Sequence, residues 1–338
     1  MWDEPVDGTV RQVRTSWFPE ATVHVVSAEG DIEFRQGDAR LPLAASWLAS
    51  EDAASLVAGL KSFVAAYTTW VARMEGAALD MPQEHVKQAQ VHMQRCRTAE
   101  QRMRSGIALL ESSPEVLTAF RLANTALALQ YSWRINPQPP ELIWRPFQLG
   151  YALLCLESIS NPDSCDRETM DLLWFPTGGG KTEAYLLLTA FTIFLRRLRA
   201  AGNPSGAGVT TFMRYTLRLL TIQQFERAAA LICACEMVRR GKVKLRNVNL
   251  PAHFATDTPI SLGLWVGEGA TPNTVLQAEQ VLGTEAESSP AQLRSCPCCR
   301  EVLDWKISSD KSRVEVRCLT KSCDVGQELA LLPIWTVD

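Results

Sequence analysis

The spacing of apolar positions changes character along the chain. In the first 46 residues, alternating runs at Ala21–Ser27 and Asp31–Phe34, separated by Glu29-Gly30, predict a small β-hairpin. From Leu48 to about Trp133 the apolar residues recur every three to four positions, broken mainly at Pro82 and at Ser112-Ser113-Pro114. That period is helical, and Ser113-Pro114 has the form of an N-cap followed by a first-turn proline. Gln83–Arg104 is polar enough to be the exposed arm of an antiparallel helix pair, while Trp47, Phe63, Tyr67 and Trp70 are its expected core aromatics. After the linker Asn136-Pro137-Gln138-Pro139-Pro140, short apolar runs alternate with helical ones. A helix runs from Trp144-Arg145-Pro146 through Ile159, and a second, strongly apolar helix covers Ala184–Leu195. Strands are predicted from Leu172, over Val209–Tyr215 and over Ile260–Val266. Strand–helix alternation of this kind predicts an α/β parallel sheet covered by helices.

The first of those strands runs into Pro176-Thr177-Gly178-Gly179-Gly180-Lys181-Thr182, at the start of a helix. Three glycines without Cβ atoms let the backbone turn its N–H groups inward, and the helix that follows directs its positive end at the same place. Lys181 can meet the terminal phosphates and the Thr182 hydroxyl can ligate Mg²⁺. Thr177 through Thr182 are therefore the expected ATP and Mg²⁺ cradle, with Lys181 and Thr182 carrying the catalytic contacts.

Four of the ten cysteines have metal-ligand spacing: Cys296 and Cys299 two residues apart, Cys318 and Cys323 four apart. The segment between the pairs is long enough for a hairpin, with strands expected over Trp305–Ser308 and Arg313–Arg317. Two cysteine knuckles on a hairpin are the sequence form of a zinc ribbon, whose four thiolates enclose one Zn²⁺. Cys298 is a spare thiol inside the first knuckle, and Cys233 and Cys235 lie in an apolar helical stretch that makes them core residues. None of the four histidines lies in a ligand or nucleophile pattern.

Composition adds limits. A chain of 338 residues predicts about two domains, and a 46% hydrophobic fraction is enough for a sizeable core. The acidic start lacks a basic, apolar leader, and Ala184–Leu195 is too short to cross a bilayer, so the expectation is a cytoplasmic protein without a membrane partner. Net charge is only −3, yet Arg196–Arg246 holds eleven arginines and lysines against Glu226 and Glu236, which suggests a phosphate-facing surface.

Trp144–Leu149, Leu172–Tyr185, Met213–Ala230, Gly263–Thr274 and the Cys-Pro-x-Cys knuckle together resemble the DrmA family of DISARM anti-phage helicase proteins, in its amino-terminal half. The most specific stretches are Trp174–Tyr185 and Arg214–Phe225. The resemblance implies a superfamily 2 DNA helicase or translocase with a RecA-like P-loop NTPase lobe. On that pattern residues 1–135 form an accessory domain, a hairpin then helices, and 136–285 the ATP-binding lobe. Residues 286–330 form the zinc-ribbon-like segment and 331–338 a truncated strand. By the same resemblance Gln148 would contact adenine, and Arg214, Thr216, Arg218, Gln223 and Thr271 would hold DNA. Helicases also need an Asp-Glu box and a second lobe, which do not follow Leu332–Asp338 here. The expectation is thus a truncated or split protein that binds ATP but hydrolyses little of it alone. Its partner would be the missing carboxyl-terminal half or other defence subunits. The alternative is a non-hydrolysing module that binds ATP and zinc and docks nucleic acid or protein.

Overall fold

A computed structural model of the chain describes residues 35–36, 39–40, 43–133, 141–174, 178–200, 206–215, 218–267 and 269–337, with backbone alone at 35–36, 39–40 and 218–221. The runs 21–27 and 31–34 and the 136–140 linker lie outside these residues. A two-residue hairpin, β1 (Arg35–Gln36) with β2 (Ala39–Arg40), precedes the helices.

The helical region follows the sequence pattern closely. Helix α1 (Ala45–Ser50) leads to α2 (Ala53–Leu79), whose N-terminus is closed by the Asp52 carboxylate accepting from Ser55 N–H at 3.0 Å. Pro82 separates α2 from α3 (Gln83–Ser112). Helix α4 (Pro114–Ser132) starts at the expected cap, with Ser113 Oγ accepting from Val116 N–H and Pro114 in the first turn. Cross-links between Lys61 and Glu111, Thr68 and Glu100, and Glu75 and Arg97 show α2 and α3 to be antiparallel. The residues of 83–102 point mostly to solvent, as an arm should. Phe63 is buried, whereas Trp47, Tyr67 and Trp70 are half-buried, the last two stacked at 5.7 Å.

Next come α5 (Pro146–Ser160), α6 (Lys181–Arg199) and α7 (Arg218–Arg239). Helix α6 is the centre of the molecule. It packs against α4, α5 and α7, and Ala184, Leu186, Leu187, Ala190, Phe191 and Phe194 are all buried on it. The apolar core is continuous from Leu48 through Phe194 to Ile334, so it crosses position 135 without a break. Helices α3 and α5 approach closely at Gly106, where an added Cβ would lie 2.1 Å from the Leu153 carbonyl oxygen.

The predicted sheet is where structure and sequence part. Among the described residues, Asp171–Trp174 and 206–215 form no strand, and Trp174 and Phe212 are exposed at 87% and 81%. The third predicted strand shrinks to β3 (Leu262–Gly263). Strand β3 pairs in parallel with β6 (Ile334–Trp335), Leu262 opposite Ile334, and is followed by Trp265, 94% exposed. Among the described residues, the parallel pairing is that of β3 with β6, in a mainly helical molecule. The physical reason is that strand propensity is realised only when the backbone finds a partner edge and the side chains a surface.

A short 3-10 turn at Ala252–Phe254 precedes β3, and between β3 and β6 lie helix α8 (Val275–Val281), the antiparallel pair β4 (Asp304–Ile307) and β5 (Val314–Arg317), and helix α9 (Asp324–Glu328). The β4–β5 hairpin matches the predicted ribbon strands to within one residue. No helix is long and apolar enough to cross a membrane among the described residues.

Gly106→Ala tests the α3–α5 contact. Alanine should gain up to about 1 kcal/mol in helix propensity, but overpacking should cost about 1–3 kcal/mol. A lower unfolding midpoint in urea is expected; an unchanged or raised midpoint contradicts the close approach.

Candidate functional sites

The glycine-rich segment is described from Gly178 onward, while Phe175, Pro176 and Thr177 lie outside the described residues. Gly178 (φ +80°) and Gly180 (φ +88°) both occupy the left-handed region, which an L side chain would strain. Gly180 is the N-cap of α6, so the turn delivers Lys181 and Thr182 as the first helical residues. This placement aims the first amides of α6, with their partial positive charge, into the loop.

The loop is held from α5. Arg145 Nη1 donates to the Gly179 carbonyl at 2.8 Å, and Gln148 Nε2 donates to the Gly180 carbonyl at 2.7 Å. Gln148 Oε1 in turn accepts from Arg145 N–H at 2.8 Å, which closes the first turn of α5. Gln148 is only 4% exposed. Its amide retains one N–H and one lone pair beyond these bonds. The structure thus brings the residue singled out for adenine to the loop itself.

The predicted nucleic-acid residues separate into groups. Arg214 and Gln223 are exposed; Thr216 is outside the described residues, and Arg218 is described only by its backbone in α7. Thr271 is 4% exposed. A cleft of about 1250 Å³ runs along residues 206–215, α6, α7 and β3, and both Arg214 and Thr271 line it. The glycine loop does not.

The basic stretch is much less available than its charge count suggests, which corrects the expectation of a broad cationic face. Buried Glu236 binds Arg239 at 2.6 Å and Arg240 at 2.8 Å and also accepts from Ile260 N–H at 2.9 Å. Arg197 is buried and donates to Thr256 Oγ1 and the Pro259 carbonyl, and Arg239 donates to the Thr256 carbonyl. These groups clamp the approach to β3. Arg196 holds Val209 and Ala207 carbonyls, Arg227 pairs with Glu183, and Lys242 pairs with Glu328. Arg199, also exposed, donates to the Ser160 carbonyl at 2.5 Å and lies 3.5 Å from Glu115; among the residues whose side chains are described, Arg214, Lys244 and Arg246 are the exposed cations of the stretch that carry none of these bonds.

The second site lies beside α7. The sulfurs of Cys296, Cys299, Cys318 and Cys323 are all within 4.8 Å of one another. Cys296 and Cys323 are 3.7 Å apart and Cys299 and Cys318 are 3.6 Å apart. Four thiolates at the usual Zn–S length of about 2.3 Å stand roughly 3.8 Å apart along a tetrahedron's edges, so the donor set fits a zinc ion. Three of the four are buried, and Cys298 is outside the group.

The knuckle turns at Arg300, whose N–H bonds the Cys296 carbonyl and whose φ is +66°. On the other side Cys323 caps α9. Burial pushes the Cys296 thiol up to about 12 and raises Cys323 as well. Burial works against the Cys299 thiolate too, but hydrogen bonds from the Glu301 backbone and Thr320 outweigh it and bring Cys299 down to about 7. A divalent cation would supply the charge that lets all four ionise together. Cys233 and Cys235, expected in the core, are fully buried on α7.

Comparison with known proteins adds a relationship to this geometry. No protein-family model matches the chain. The DISARM protein DrmA of Bacillus paralicheniformis is 29% identical over an alignment 376 positions long, gaps included, that covers all of this chain and 32% of that protein. The chain therefore spans about a third of its relative's length. The glycine loop, the helices that hold it and the four-cysteine cluster thus belong to a chain that is similar, over its whole length, to part of the DISARM protein DrmA.

Proposed function

We propose that this chain is the nucleotide-binding part of a superfamily 2 DNA helicase or translocase acting in a DISARM-type defence against phage. The observation that carries the proposal is the left-handed glycine turn at Gly178–Gly180, which caps α6 and opens it with Lys181 and Thr182. In this reading the loop amides and Lys181 hold the phosphates of ATP, and the Thr182 hydroxyl ligates Mg²⁺. Thr177 completes the loop, and Gln148 contributes its remaining amide positions to the base. Bound Mg²⁺ would neutralise charge on the phosphates. DNA is assigned to the cleft side, through Arg214, Thr216, Arg218 and Gln223, with Thr271 supporting the loop after β3. The similarity to DrmA supports the defence context; the remaining length of such a protein, or another defence subunit, is the proposed partner.

Zinc is proposed as a structural ion at Cys296, Cys299, Cys318 and Cys323. Its role follows from position. Cys296, Cys318 and Cys323 belong to the same core as α7, and the Leu332 N–H bonds the Val316 carbonyl just before β6. A tetrathiolate centre would therefore fix β6 against β3.

Calorimetry with Mg·ATP tests the nucleotide site. Lys181→Ala should lose a charge-assisted contact of about 1.5–3 kcal/mol, an affinity drop of roughly tenfold or more. Equal affinities of mutant and parent would sink the assignment. Elemental analysis tests the metal: one zinc per chain is expected, lost in Cys318→Ser and retained in Cys298→Ser. Retention in Cys318→Ser, or loss in Cys298→Ser, would contradict the proposed ligand set. Acidification should release the ion, because protons compete for the same sulfurs.

A further inference from the structure

Glu183 is the third residue of α6, in the turn whose amides face the phosphate loop. An added Cβ at Gly180 would lie 3.4 Å from Glu183 Oε2, so this carboxylate stands against the loop backbone. Negative charge in the first turn of a helix is ordinarily favourable. Here it competes with the anion that the same turn is built to accept, and like charges at such range oppose one another strongly where water is partly excluded.

Arg227 answers that charge from another helix. Its Nη2 donates to Glu183 Oε1 at 2.5 Å, joining α7 to the start of α6. Both side chains are largely shielded, Glu183 at 16% and Arg227 at 34% exposure. The backbone there is fixed as well, since Gln130 Nε2 of α4 donates to the Arg227 carbonyl at 3.1 Å. Tyr185, one turn along from Lys181, meets Tyr151 of α5 edge-on at 6.2 Å, so α5 packs on α6 beside the loop.

We propose that Arg227 is a positioning residue for polyphosphate binding: it neutralises Glu183 and holds it aside, so that Gly178–Thr182 can accept the phosphate chain of a nucleoside triphosphate. This rests on the nucleotide reading given above. It also joins the phosphate loop to α7, the helix that begins at Arg218, so that occupancy of the loop and placement of α7 are mechanically linked. The effect is electrostatic, which distinguishes it from a simple packing role. It grows with ligand charge, and removing the Glu183 charge abolishes the need for Arg227.

Calorimetry on the full chain with Mg·ATP and Mg·ADP tests the idea in the parent, Arg227→Ala, Arg227→Lys, Glu183→Gln and the Glu183→Gln/Arg227→Ala double variant. Arg227→Ala should weaken Mg·ATP binding on the order of tenfold and Mg·ADP binding less. Arg227→Lys should keep most of the affinity. The double variant should return to within about twofold of the parent, the usual scatter of additive effects. Parent-like affinity in Arg227→Ala overturns the proposal, as does a double variant no better than Arg227→Ala. Should Arg227→Ala fail to fold by circular dichroism, Glu183→Gln alone decides: affinity equal to or above the parent's is expected, and a clear loss overturns the proposal. Absence of ATP binding in the parent overturns the nucleotide reading itself, and this proposal with it.

Discussion

The burial of α6 is the constraint on which the rest of the structure depends. Phe191 and Phe194 are completely excluded from solvent, and Leu186 and Leu187 nearly so. Each large side chain buried this way is worth roughly 1.5–3 kcal/mol against exposure. Helices α4, α5 and α7 form the walls of that site. Because α6 cannot rotate without unpacking those walls, its first turn is fixed in direction, and with it Lys181, Thr182 and Glu183. The glycine loop needs little stability of its own. Arg145 and Gln148 hold two of its carbonyls, and the helix holds its end.

Helix α7 connects the two candidate sites. One flank meets the start of α6 at the glycine loop through Arg227 and Glu183, and further along the helix Cys233 and Cys235 are buried in the core that contains Cys296, Cys318 and Cys323. The four-cysteine cluster is therefore an integral part of the core. From the same ribbon the chain passes directly into β6, which pairs with β3 beyond the Glu236–Arg239 clamp.

Features governed by local chemistry were legible in the sequence. The Ser113-Pro114 helix start, the α2–α3 arm and the ribbon strands all depend on residues a few positions apart, and each lies where its pattern placed it. The cysteine spacing likewise anticipated a cluster within bonding range of one ion. Features that depend on distant partners were not legible. Val209–Tyr215 has strand composition but pairs with no strand among the described residues, and its Phe212 is exposed. The basic run misled for a related reason. Counting charges along the chain cannot reveal that buried Glu236 takes two arginines, or that carbonyls of 256 and 259 take Arg239 and Arg197. The Glu183–Arg227 pair, 44 residues apart, was equally invisible.

Hydrogen exchange with and without Mg·ATP tests the central claim most directly, because it reports where a ligand contacts backbone amides. The account predicts slowed exchange concentrated at Gly178–Glu183, with a smaller effect on α7 around Arg227, and loss of both in Lys181→Ala. Unchanged exchange at Gly178–Glu183 at saturating nucleotide, or protection confined to another part of the molecule, would contradict it.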